Sequence, residues 1–448
     1  MIRLSWTQPE DLVPHALEAA RLDGRDAAAI RDRWTAAGGS TTAPVSGATP
    51  EPAPEPLRAL ARELLDDLDR LPDPAALQAN EPDDLGPVLA LAAPPELPEP
   101  GNLQDRVLGA WLGRAAGCLL GKPVEKIPLD GIRAIAKSTG NWPLHGYFTE
   151  QGLDPDIAAR HPWNRRSRPT SLAENIDGMP EDDDLNFPLI ALHLLERHGP
   201  GFTTDHVAQA WLDLLPGGRV FTAERIAYRN LLDGVEPDRA AAVRNPFRDW
   251  IGAQIRTDLY GWTRPGLPVE AATLAWTDAR LSHGRNGLYG AMFAAAASSA
   301  AVTGASVDTV LAAGLSVVPA RSRYAAAVAR GIALAAGDLP DEAAIDALHA
   351  EYGHLHWVHV LNNAALLAFA LARGAGDFHR TITLAVSGGW DTDSVGATAG
   401  AITGAITGAK ALPAEWTAPL DDRYTTSVPG FAGATFTALA ARTLEASA

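Results

Sequence analysis

Cysteine is almost missing from this chain. Cys118 is the one thiol among 448 residues, so no intrachain disulfide can form, and a reducing cytoplasm is the expected setting. Long apolar runs are missing as well. Nothing reaches the roughly 18–20 apolar residues that a membrane-crossing helix needs, and polar residues interrupt the Ala-rich stretch at 286–302. The start, "MIRLSWTQPEDLVPH", lacks a basic region followed by an apolar one, so no secretory signal is expected. Positive charge is in deficit: 37 Lys and Arg stand against 54 Asp and Glu, a formal net charge of −17. That balance argues against nucleic acid or an anionic membrane as partner. A small anionic ligand stays compatible if a bound cation offsets its charge. Alternating strand patterns are nearly absent, and no Walker loop, CxxC pair, HExxH or GxSxG occurs.

What is present suffices for a sizeable core, with 46% hydrophobic and 20% charged residues. Two Pro/Glu-rich stretches, "ATPEPAPEP" (48–56) and "APPELPEPG" (93–101), resist helix and favour extended linker. Between them "LRALARELLDDLDRL" has helical periodicity. Residues 1–100 therefore read as an extension of a few helices with stiff connectors, and 101–448 as the main body. Apolar residues recur at 3–4 spacing through that body, most segments ending at glycine. The expectation is an all-α, compact multi-helix domain with ten or more closely packed helices.

Two segments carry glycine at every fourth position: Gly109, Gly113, Gly117 and Gly121, and Gly396, Gly400, Gly404 and Gly408. Interior helical glycine costs about 0.5–1 kcal/mol relative to alanine, a cost that makes sense where another backbone comes close. The two are natural partners. Asp391, Asp393 and Ser394 fall at the start of the second. They read either as a helix N-cap or as hard oxygen ligands for Mg²⁺ or Mn²⁺. Four consecutive acids, Glu181 to Asp184, open another amphipathic helix. They read as a solvated helix start or, facing the first cluster, as half of a two-metal centre about 3.5–4 Å across. Glu125 lies just past the first glycine helix, and His283 in "SHGRNG" before an Ala-rich helix. By local pattern alone these two are a surface acid and a structural histidine.

In their order along the chain, "GAWLGRAAGCLLGKPVE", "EDDD", "SHGRNG" and "GGWDTDS" resemble the motifs of the ADP-ribosylglycohydrolase family. The resemblance implies an all-α fold around a central cleft holding two divalent metal ions, Mg²⁺ or Mn²⁺. It also implies hydrolysis of the glycosidic bond at the anomeric carbon of ADP-ribose, freeing ADP-ribose from a modified protein or small molecule. Matched motif by motif, Glu181, Asp182 and Asp183 would be one set of metal ligands, and Asp391, Asp393 and Ser394 the other. Asp183 or Glu125 would move the water's proton. His283, Ser387, Gly388, Gly389 and Trp390 would meet the substrate, with Arg321 or Arg323 as further diphosphate donors. The chain departs from the family's motifs in Glu181 and Asp184 for threonine, Cys118 for an aspartate, Trp390 for a glycine and Ser394 for threonine. These changes leave open two alternatives: a hydrolase of another glycoside or nucleoside-like metabolite, or a non-catalytic ADP-ribose binder.

Overall fold

The computed structural model describes residues 3–447. Its regular structure among those residues is helical, with two isolated β-bridges, Met179 to Tyr424 and Trp250 to His359. The all-α expectation holds. At the centre lies the Arg285–Ala301 helix, buried along its whole length. Its run of Ala, Gly and Ser makes it thin enough to be surrounded on every side by other helices. The Val360–Gly374 helix is nearly as buried and packs against Arg323–Ala336, where Gly331 meets the Ala365 carbonyl.

The two glycine helices, Leu103–Gly121 and Thr392–Thr407, pack antiparallel against each other. A Cβ added at Gly109, Gly113, Gly117 or Gly121 would lie closer than 3.0 Å to the carbonyl oxygen of Gly404, Gly400, Gly396 or Thr392 in turn. The clash is mutual at Gly396, Gly400 and Gly404. Backbone therefore lies on backbone along three helical turns. Gly408 is outside this ladder and ends its helix with φ +80°. Register is also set by hydrogen bonds at both ends. The Thr392 hydroxyl donates to the Gly121 carbonyl at 2.8 Å, and Arg106 donates to the Ala405 carbonyl at 3.0 Å.

The first hundred residues form short helices, of which Pro9–Leu22 and Glu55–Asp69 are the longest. Ala61, Leu64, Leu65 and Leu68 bury one stripe of the second, as its sequence period requires. This extension is pinned to the body by charge and by aromatic packing. Asp23 accepts from Arg248, Arg285 and Arg323, and Glu81 from Arg323 and Asn286. Trp6 packs edge-on against Phe247, Trp250 and His356. Arg323 is thus committed to the extension rather than available to a diphosphate.

The ladder predicts a sharp contrast between glycines. Gly117→Ala forces two backbones apart and is expected to cost about 3 kcal/mol or more, the upper end of overpacking. Gly86→Ala has open space at its Cβ and is expected to be neutral or stabilising by up to about 1 kcal/mol. Thermal melts of both variants check this; equal effects would contradict the backbone contact.

Candidate metal centre

Because the glycine helices run antiparallel, the end of one delivers Lys122 and Glu125 beside the start of the other, where Asp391 and Asp393 sit. A third element, the Asp183–His198 helix, brings its own first turn to the same place. The Ser394 hydroxyl donates to Asp184 Oδ2 at 3.2 Å, joining two helix starts 210 residues apart in sequence. These groups form the floor of a cleft of about 840 Å³.

Helix capping accounts for only one side of the floor. Asp182 is an N-cap whose carboxylate accepts from the Asp184 amide at 2.9 Å. Asp391 occupies the N-cap position but accepts no capping bond. Its side chain is free to join Glu125 and Asp393, whose donor atoms all lie within 4.8 Å of one another. Cys118, Asp182 and Asp184 form a second such group. Oxygen donors dominate both, and Asp184 Oδ1 is buried without a hydrogen-bond partner. The all-carboxylate set of Glu125, Asp391 and Asp393, with Asp391 taking no capping bond, is a hard donor set that fits a divalent cation.

The electrostatics are uneven across the floor. Burial raises the carboxyl pKa of Asp391 well above the ordinary range, and Asp393 and Glu125 add to it. Asp183 is raised by burial, then by Asp182 and Asp393. Asp184 is raised by burial and the same two neighbours, against the pull of Arg114. Asp393 is pushed up to about 7, first by burial and then by Glu125. At Asp182 burial also opposes ionisation, but the ion pair with Lys122 outweighs it and holds the carboxyl below its usual range. Burial and the nearby aspartates push the Cys118 thiol far up, so it stays neutral.

The remaining expected residues are placed as follows. Glu181 lies at the cleft edge with its carboxylate already engaged by the Ser427 amide at 3.1 Å, Asn186 at 3.3 Å and Arg219 at 3.2 Å. Glu125 accepts from Asn164 at 2.7 Å and pairs with Lys126 at 3.1 Å. His283 is not at the cleft surface. It is buried behind Glu224, 4.0 Å from that carboxylate, with Nδ1 against the Ser282 hydroxyl at 2.8 Å. Ser387 through Trp390 also stay out of the cleft lining. Ser387 donates back to Thr383, the Gly388 carbonyl meets His349, and Trp390 stacks on that histidine at 4.0 Å. Gly389 at φ +76° and Trp390 at φ +60° make the turn that aims Asp391 inward. The segment thus positions the acid and does not line the cleft.

Several lining residues escaped the sequence reading. Asp184 belongs to the acidic run but not to the ligands that the motif resemblance names. Lys122 and the rim arginines Arg165, Arg166 and Arg219 carried no pattern. Ser5, Trp6 and Ser46 of the extension also line the cleft, a long-range approach with no local signal.

The chain was compared with known proteins. The family model described as ADP-ribosylglycohydrolase matches residues 99–447. No curated protein matches. Among solved structures, one titled "ADP-ribosylglycohydrolase-related protein complex" is 23% identical, with a TM-score of 0.45, and the match covers 77% of this chain and 99% of that one.

Floor carboxyls with raised pKa tie stability to pH. Asp393 ionises near 4 when unfolded and at about 7 when folded. Its contribution is complete below about pH 4 and is lost as pH rises through about 7. In a chelator the chain is expected to melt at a lower temperature at pH 8 than at pH 5.5. The increment from added Mn²⁺ is expected to grow over that range, since the ion replaces protons. Melting curves with and without Mn²⁺ check this; equal increments at both pH values would count against the floor as a cation site.

Proposed function

The chain belongs to the ADP-ribosylglycohydrolase family, and from that premise we propose that it hydrolyses the glycosidic bond at the anomeric carbon of ADP-ribose, using divalent cations, Mg²⁺ or Mn²⁺, at the acidic floor. Membership supports a glycosyl-hydrolase type of activity. The finer reading is carried by one observation: the convergence of Glu125, Asp183, Asp184, Asp391 and Asp393 in one cleft. A bound divalent ion supplies a water that is acidic near neutral pH and a grip on sugar hydroxyls.

The chain's own residues do the rest. Glu125, Asp391 and Asp393 are the proposed ligands, with Asp182, Asp184 and Ser394 beside them and Glu181 at the edge. Burial and its acidic neighbours raise the Asp183 carboxyl above the ordinary range, which suits it to the proton-transfer role. Glu125, steadied by Asn164 and Lys126, holds its carboxylate both toward the ion's site and toward the water. The dense negative floor stabilises the oxocarbenium-like sugar as positive charge develops. At the rim of an otherwise acidic protein Arg165 and Arg166 stand exposed, with Arg219 nearby but paired to Glu181. Guanidinium groups suit a diphosphate, so they take the role expected of Arg321 and Arg323, neither of which lines the cleft. This bipolar arrangement favours an anionic glycoside over a neutral nucleoside. Trp390, which gave some support to another metabolite, is packed on His349 outside the cleft lining.

Asp391→Asn combined with Asp393→Asn is expected to slow ADP-ribose release by roughly 10²–10⁴-fold. Arg165→Ala with Arg166→Ala is expected to raise KM at least about tenfold, near 1.4 kcal/mol, with kcat changed little. Both are measured on ADP-ribosyl-arginine, ADP-ribosyl-serine, O-acetyl-ADP-ribose and free nucleosides. Near-wild-type release by the double Asn variant would defeat the assignment, and preference for nucleosides would favour the other glycoside.

A further inference from the structure

The two halves of the floor differ in how their charge is met. On one half, Lys122 is 7% exposed at its side chain, ion-paired with Asp182 and 3.3 Å from the Glu181 carbonyl. Arg114, shared with Asp258 at 2.6 Å, lies 3.7 Å from the unpartnered Asp184 Oδ1. The third donor there is Cys118, a thiol. On the other half, Glu125, Asp391 and Asp393 present three carboxylates. The cation that reaches them by an ion pair is Lys126, at Glu125, its side chain 43% exposed. Three carboxylates against one ammonium leave the charge of one divalent ion unmet. The Asp182 half has its ammonium already in place.

We propose that Lys122 is a built-in cation that occupies the Asp182 half of the floor, so that this chain holds one divalent ion, at Glu125, Asp391 and Asp393, where two were expected. The inference rests on the metal-dependent reading above and narrows it. An ammonium and a divalent ion on one carboxylate repel, and between side chains as buried as Lys122 and Asp182 that repulsion is less screened than in water. Lys122 is tethered where the first glycine helix ends, its ammonium held by Asp182 and the Glu181 carbonyl. It therefore plays the electrostatic part of a second ion without exchanging with solution.

The test is stoichiometry on the full-length protein, with Mn²⁺ alone as probe, by calorimetry and by electron paramagnetic resonance. The wild type is expected to bind one Mn²⁺ with the spectrum of an isolated ion. Lys122→Met is expected to bind two with a coupled spectrum, and Lys122→Arg, which keeps the charge, to stay at one. Two ions in the wild type would overturn the inference and leave the hydrolase reading intact. No binding would overturn both. One ion in both the wild type and a folded Lys122→Met would overturn the role given to Lys122. Should Lys122→Met fail to fold, the wild-type count and spectrum decide between one ion and two.

Discussion

Direct contact between two helix backbones is the constraint on which the site depends. Side chains between helices ordinarily hold axes 8–10 Å apart and let them adjust in rotation. Where Gly109, Gly113 and Gly117 meet the carbonyls of Gly404, Gly400 and Gly396, little of that freedom is left. Position along the axis and rotation are both fixed. Fixing them sets where the chain leaves the first helix, at Lys122 to Glu125, relative to where it enters the second, at Asp391 to Ser394. A site of several carboxylates needs this stiffness, because their repulsion acts to open whatever holds them.

That repulsion is met by several devices at once. Asp393 and Ser394 lie in the first turn of one helix, Asp183 and Asp184 in the first turn of another. Both turns present the positive end of a helix dipole, each worth about 0.3–1 kcal/mol. Lys122 neutralises Asp182, Arg114 stands near Asp184, and Ser394 links the two helix starts by a hydrogen bond. What these leave unmet is concentrated on Asp183, Asp391 and Asp393, the carboxyls with the most reason to keep a proton or take a cation. Uneven compensation therefore divides one acidic floor into a part whose charge the protein itself meets and a part whose charge it leaves unmet.

Much of this could be read from the chain before any coordinates. Period-four glycine implies close helices because only a missing Cβ permits backbone contact, and the two ladders are indeed partners. Acids at helix starts were visible as clusters, and Ser394 does meet the acidic run at Asp184. Legibility failed where function depends on direction. Sequence position cannot say that Trp390 takes a positive φ and turns onto His349, or that His283 faces inward behind Glu224. It also gave Glu181 a ligand's place, whereas its carboxylate is taken up by Ser427, Asn186 and Arg219. Lys122 was missed because a lysine next to proline at a helix end has an ordinary surface reading; only burial against Asp182 makes it part of the site.

The first hundred residues bear on the cleft as well as on packing. We keep the proposed boundary near residue 100, because 93–101 is extended and without regular structure. Yet the cleft wall crosses it. Trp6 is wedged among Phe247, Trp250 and His356, and the Ser5 carbonyl is tied to Arg225 at 3.0 Å. Asp23, 4% exposed at its side chain, takes ion pairs from three body arginines. Stripped of the extension, the body would expose that arginine cluster and an aromatic face together. A buried carboxylate serving three guanidiniums is costly to remove, since each arginine then loses a partner. The extension is thus held where its Ser5, Trp6 and Ser46 face the acidic floor across the cleft. The cleft is bounded on that side by a segment far in sequence from the glycine and acidic motifs, which is why the motifs alone say little about the cleft's shape.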